Sequence, residues 1–337
     1  MKNRAIGISL LAAVVSFGLV APTYAGYIGD GSAANNGAGV YYNGELYVFW
    51  PLAKVKSYKI ENCLCLNGDR YDGLPSPGGS SYAQVAPLVI ENVLWLFHTG
   101  NDSCLYYKTY DDANKKWDSS WHPIPNVSTK NDYEIAPVYN PQTHRLAVYY
   151  FYSNYIWWVY SDDYGATWSA GQRVLGLELV ISPPSAVFCP GARSDTLLAV
   201  SAIVNLVFPA PQTAVRILTL SNGSVTSYTD TAWHATGRPF LVDVNDDYYA
   251  LTWKASDTGR PWLAKMAKAT GVWQAGAEAI AHDTEYSPTA VVKYVLKEAN
   301  GPWYGQLYLI WGDGAITRPV LGSWAVSLIE SWPITGP

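Results

Sequence analysis

Hydrophobic residues in this chain alternate with polar ones or run in short blocks, and no stretch keeps the 3.6-residue spacing of an amphipathic helix. Four segments show the pattern clearly: APLVIENVLWLF at 86–97, APVYNPQTHRLAVYYF at 136–151, RPFLVDVNDDYYALTW at 238–253 and SPTAVVKYVLKEANGPWYGQLYLIW at 287–311. Weaker copies are GAGVYYNGELYVFW at 37–50 and SAVFCPGARSDTLLAVS at 185–201. Each reads as a strand, a polar turn and a second strand. A third apolar run follows, often with a polar turn closed by a tryptophan, as in LYYKTYDDANKKW, IWWVYSDDYGATW and LAKMAKATGVW.

The starting points recur about every 50 residues, the length of one four-stranded propeller blade. Six copies fill the chain after its first 25 residues. The expectation is an all-β fold, a six-bladed β-propeller of four-stranded blades, with residues 26–337 as one domain. A two-sheet sandwich is the alternative, and the repeat argues against it.

Composition agrees with many half-buried strands: 49% of residues are hydrophobic, with 15 Trp and 26 Tyr, and 28 Gly and 21 Pro suit tight turns. The net charge of −5 gives no basic surface for nucleic acid. Residues 1–25 combine Lys2 and Arg4, an apolar run at 6–20 and small residues at 23–25, the pattern of a secretory signal peptide cleaved after Ala25. The run is shorter than the ~20 apolar residues that span a bilayer. A secreted protein with no membrane span is expected, periplasmic if its host is Gram-negative. Four cysteines, Cys63, Cys65, Cys104 and Cys189, are too few for a disulfide framework. One bridge from Cys63 or Cys65 to Cys104 is expected. No metal and no cofactor is expected, because Cys-x-Cys alone lacks a second ligand pair.

Residues 161–168, SDDYGATW, follow the pattern Ser-x-Asp-x-Gly-x-Thr-Trp. The octapeptide resembles the Asp box, or BNR repeat, of sialidase-like β-propellers. The resemblance implies a turn between the third and fourth strands of a blade. Asp163 would accept backbone N–H groups there, Gly165 would take a positive φ, and Trp168 would pack between blades. Asp111, Asp112 and Trp117, and likewise Gly271 and Trp273, would be degraded copies. Such turns lie opposite the usual ligand face, so Arg145, Asp162, Asp163 and Arg193 are expected to stand away from the site.

The residues preceding the inner strands are Asn36, Gln84, Glu134, Ser182, Arg238 and the pair Glu285-Tyr286. Their convergence at one mouth of the axial channel would make a polar and aromatic ring suited to a sugar. The loops after each second strand add His98, Asp102, Tyr152, Lys254, Arg260 and Asp313. The partner expected is a glycan or glycoconjugate. Three readings remain open. In a sialidase-type hydrolase the resemblance implies Tyr286 as nucleophile, Glu134 as its activator, Asp102 as acid, and three arginines gripping a carboxylate. Here Arg238 stands at the right end, with Arg260 and Arg318 as further candidates. In a lectin-like propeller, Asn36, Gln84, His98, Tyr152, Arg238, Lys254, Arg260, Glu285 and Asp313 would bind glycan without chemistry. A protein-binding scaffold is the remaining alternative.

Overall fold

The computed structural model describes residues 24–28, 37–54, 57–66, 69–81, 83–128, 134–175, 180–189, 196–205, 212–281, 283–284, 287–296, 303–312 and 324–334. Among them every regular element is a strand, and no helix is long and apolar enough to cross a membrane.

Five sheets are built from consecutive strands within 38–72, 86–128, 135–173, 185–230 and 240–278. A sixth joins Thr289–Leu296, Trp303–Gly312 and Trp324–Ile334, and takes its outer strand, Tyr24–Ile28, from the opposite end of the chain. Both terminal segments therefore complete this sheet. Tyr24 and Ala25 fall inside the predicted leader, so the strand begins two residues before the expected cleavage point. The second sheet has five strands rather than four. Its outer edge is split: Lys116–Trp117 and His122–Ser128 both pair with Cys104–Asp111.

The inner strands Ala38–Tyr42, Ala86–Ile90, Ile135–Asn140, Ser185–Phe188, Phe240–Asp243 and Thr289–Leu296 touch one another in cyclic order, and the last touches the first. That closes the sheets into a wheel, a β-propeller. Second strands are sandwiched between neighbouring sheets and buried on both faces, as in Val93–Thr99 and Arg145–Tyr152. This is why they read as apolar blocks, whereas third strands such as Tyr155–Ser161 alternate.

The core lies between sheets. Phe97, Tyr107, Leu146 and Val148 fill the second interface. Tyr149, Trp158, Leu198 and Leu218 fill the third. Leu197, Ile217, Tyr249 and Trp253 fill the fourth. Each such side chain contributes roughly 1.5–3 kcal/mol on burial. Where the first sheet meets the sixth the backbones come close: a Cβ on Gly39 would lie 2.7 Å from Val291 Cγ1 and 2.8 Å from Ile310 Cδ1. Glycine is required there by space.

Cys104 and Cys189 carry free thiols, so the expected bridge to Cys104 is not formed. The side chains of Cys63 and Cys65 lie outside the described residues.

Antiparallel pairing sorts the connections to two ends. Inner-strand starts and second-to-third turns share the mouth end. First-to-second and third-to-fourth turns share the turn end.

Candidate functional site

At the mouth end a belt of hydrogen bonds crosses the axis. Arg238 donates from Nε to the Pro184 carbonyl at 2.8 Å, from Nη1 to Gln84 Oε1 at 3.2 Å and from Nη2 to the Ile135 carbonyl at 3.2 Å. Its backbone N–H donates to Ser287 Oγ at 3.0 Å. Gln84 Nε2 donates to the Gly37 carbonyl at 3.2 Å, and Thr289 Oγ1 donates to the same carbonyl at 2.9 Å. These groups stand at the starts of the inner strands of all six sheets. Burial lowers the Arg238 pKa to about 10, with the charge of Glu134 opposing it, so the group stays a cation at neutral pH.

Gln84 and Arg238 are therefore brought together as the sequence pattern required, but not as an open ring. They are 3% and 6% exposed, and their polar atoms are spent on one another and on backbone carbonyls. The cavity beside them is about 120 Å³, lined by Ala38, Gly39, Ala86, Ala136, Ala186 and Phe240. Ligand pockets are usually about 300–1,000 Å³.

The other expected residues scatter. His98 is not in a loop; it ends up inside Val93–Thr99, 3% exposed, edge-on to Trp121 at 4.3 Å and stacked on Tyr106 at 5.5 Å. Neither ring nitrogen has a hydrogen-bond partner, and burial lowers its pKa to about 4. Asp102 accepts from the Tyr106 hydroxyl at 2.6 Å and from the Cys104 N–H at 3.1 Å. The Tyr106 bond holds this carboxyl below its usual range and pushes the Tyr106 phenol up to about 12. A general acid needs the reverse shift, so Asp102 is unsuited to that part.

Arg260 is engaged by Glu278 at 3.0 and 3.2 Å and faces Asp283 at 3.5 Å. Tyr152 is 43% exposed with its ring edge-on to Trp157. Lys254 and Glu134 are half-buried. Asn36, Glu285, Tyr286 and Asp313, like Arg318, lie outside the described residues. Among the described residues no group of three or more His, Cys, Asp or Glu gathers to hold a metal.

A second concavity lies away from the residues expected to form the site. A cleft of about 620 Å³ opens at the turn end between the fourth and fifth sheets. Tyr228 and Trp273 supply ring surface over the buried Tyr249, and Thr219, Asp246 and Lys268 supply polar groups. Tyr228 is 57% exposed, while Trp273 stands edge-on to Trp233 at 5.8 Å. Lys268 is oriented by Asp243 at 2.7 Å and lies 4.4 Å from the Tyr249 ring centre. The available signal was the turn-closing Trp273, which the repeat pattern assigned to packing.

No known family matches the sequence, and no curated protein is similar to it in sequence. Solved structures are similar in shape. A triple arginine-to-alanine mutant of AofleA from Arthrobotrys oligospora superposes with a TM-score of 0.58 at 11% identity, over 91% of this chain and 92% of that one. The Aleuria aurantia lectin, described as a six-bladed β-propeller with a novel fucose recognition mode, gives 0.51 at 13% identity, over 89% and 95%. A neuraminidase-like protein of a flat-faced bat isolate from Peru gives 0.51 at 9% identity, over 94% and 93%. What they share with this chain is the β-propeller.

Within this propeller the Ser161-to-Trp168 turn has the expected geometry. Asp163 accepts from the Thr167 N–H at 2.8 Å and the Thr167 hydroxyl at 2.6 Å, and Gly165 has φ +83°. Ser161 Oγ donates to Asp163 at 2.8 Å and accepts the Gly165 N–H at 2.7 Å. Trp168 packs on Tyr107 of the neighbouring sheet at 5.7 Å. Arg145 forks onto Asp162 at 2.7 and 2.9 Å, at the turn end and far from the axis. Arg216 is likewise paired with Asp230, and Arg173 lies 3.4 Å from the Tyr155 ring centre.

Proposed function

We propose that the protein is a secreted, lectin-like, six-bladed propeller that binds carbohydrate without turning it over. The sixth sheet, assembled from both ends of the chain, counts as the sixth blade. Export rests on the leader pattern of residues 1–25.

The observation that carries the reading is the 620 Å³ cleft between the fourth and fifth sheets. Its size and its mixture of aromatic walls with a few polar groups suit a pyranose. Rings cover the apolar face of the sugar, and Thr219, Asp246 and Lys268 meet its hydroxyls. The axial mouth is the weaker place for a sugar, because the Arg238 and Gln84 donors already have acceptors. Hydrolysis is disfavoured for a related reason. Asp102 is held as a carboxylate, and Arg145, Arg216, Arg238 and Arg260 are each committed to other protein groups. Two of the similar solved propellers, the Aleuria aurantia protein among them, are lectins by description or by name.

The test is a glycan array probed with the purified chain, followed by titration of the hits. Trp273→Ala and Tyr228→Ala should each weaken binding at least about tenfold, the loss of one well-packed aromatic face, or ~1.4 kcal/mol. Asp102→Asn should leave affinity unchanged. An array without hits would remove the reading. Turnover of a fluorogenic sialoside that disappears in Tyr286→Phe would replace it with a hydrolase.

A further inference from the structure

Arg238 is a cation enclosed by uncharged acceptors. Its guanidinium carries five N–H hydrogens. Three of them are matched: one on Nε by the Pro184 carbonyl at 2.8 Å, one on Nη1 by Gln84 Oε1 at 3.2 Å and one on Nη2 by the Ile135 carbonyl at 3.2 Å. Every nitrogen is thus engaged, yet a second hydrogen on Nη1 and another on Nη2 have no acceptor among the described residues. One face of the group lies against the Phe240 ring, 5.4 Å from its centre, and the residue is 6% exposed.

A buried charge costs free energy unless an opposite charge and a full set of hydrogen bonds compensate it. Here the compensation is partial. None of the three acceptors is ionised. The charge of Glu134 favours the guanidinium, but Glu134 makes no hydrogen bond to it among the described residues. Burial prevails over that charge and lowers the Arg238 pKa to about 10, whereas the carboxylate-paired Arg216 and Arg260 are shifted upward. The same guanidinium lines the cavity of about 120 Å³ at the mouth end, whose other walls include Ala38, Gly39, Ala86, Ala136 and Ala186. That space is too small for a sugar and ample for a monoatomic anion with water beside it, since one water takes about 30 Å³.

We propose that the axial cavity beside Arg238 binds a small monovalent inorganic anion, with chloride as its first candidate. The anion accepts the unmatched hydrogens of Nη1 and Nη2 and neutralises the buried charge. The small walls serve the same end, because larger side chains at Gly39, Ala86, Ala136 and Ala186 would fill the space on the axis. Arg238 itself precedes the inner strand of the fifth sheet and bonds groups at the inner-strand starts of the second, third and fourth. Neutralising it therefore strengthens the belt that joins four sheets, and the anion stabilises the closed wheel by binding the folded chain alone. Anionic groups carried on a sugar are excluded by the volume of the cavity.

The experiment melts the full chain at fixed ionic strength while sodium chloride replaces sodium gluconate. Gluconate keeps the screening constant and is too large for the cavity. A rise in melting temperature that follows the logarithmic dependence of stability on free ligand is expected. Gln84→Glu sets a carboxylate against Arg238 in place of the amide, while the Gly37 carbonyl keeps its bond from Thr289. That carboxylate repels a second anion, so the variant should bind chloride at least about tenfold more weakly. A crystal of the parent grown in bromide gives a reading that needs no variant: an anomalous peak in contact with Arg238 Nη1 or Nη2 is expected. No chloride-dependent rise, an equal rise in parent and Gln84→Glu, or a bromide map without a peak at Arg238 would overturn the proposal and leave ordered water as the partner of those hydrogens.

Discussion

Two polar clusters face opposite ends of this wheel. The belt at the mouth end and the group of Glu91, Tyr139, His144 and Tyr164 at the turn end both collect side chains from different sheets. In the belt every donor of Arg238 and Gln84 that bridges sheets has its own acceptor, and both residues are buried. At the turn end two phenol hydroxyls and His144 Nδ1 converge on one carboxylate oxygen of Glu91, at 2.6, 2.7 and 3.1 Å, and the side chains of His144 and Glu91 are 58% and 50% exposed. A saturated buried network holds sheets together, because each group left without a partner there would cost free energy. A carboxylate that gathers its donors in the open can exchange them for water, so the same kind of contact is worth less there.

The largest effect expected is at the belt. Arg238→Ala strands Gln84 Oε1 and two backbone carbonyls in a buried place and should lower unfolding free energy by about 3–5 kcal/mol. Urea denaturation measures it, and a loss below about 1 kcal/mol would show that the belt does not hold the wheel closed.

His98, at the same end, is buried among the rings of Tyr106 and Trp121, and no side chain or carbonyl lies within hydrogen-bond geometry of its ring nitrogens. Its folded pKa, about 4, lies below the unfolded value of 6.5, so the unfolded chain takes up the proton first. Stability present above pH 6.5 should therefore fall as pH drops toward 4, by about 3 kcal/mol. Denaturation midpoints at pH 7, 5.5 and 4 in the parent and in His98→Phe isolate this part. An identical pH profile in both chains would mean that His98 is not buried neutral.

A smaller change tests a saturated network at the turn end. Ser161→Ala removes a donor to Asp163 and the acceptor of the Gly165 N–H, and should cost about 1–2 kcal/mol in the same urea assay. The smallest expected effect is at an exposed ion pair: Arg260→Ala should leave the urea midpoint unchanged, as surface pairs commonly do. A clear shift there would mean that exposed pairs also tie these sheets together.

Much of the fold was legible. Strand pairs at 86–97, 136–151 and 238–253 fall where the alternation and the polar turns put them, because side chains on a strand must answer to the two faces of a sheet. The Ser161-to-Trp168 turn was legible to the level of single bonds, since its chemistry is local: Asp163, Gly165 and Thr167 act within four residues of one another. His98 was misplaced because HTGNDS reads as a loop from its composition, whereas the strand runs on through Thr99. Asp102 looked like an acid because its sequence neighbours say nothing about the Tyr106 hydroxyl that stabilises its charged form.

The sequence by itself determined the repeating unit, the strand periods and the position of each inner-strand start, all of which follow from short-range pattern. It also placed Gln84 and Arg238 at the same end of the axis. Only the tertiary structure decided whether those groups face a ligand or each other. That depends on the spacing of sheets whose residues are more than a hundred positions apart, as between Gln84 and Arg238. The cleft beside Trp273 and the meeting of Glu91 with Tyr139, His144 and Tyr164 were decided in the same way. Each is made by two neighbouring sheets at once, and no local pattern encodes the distance between them.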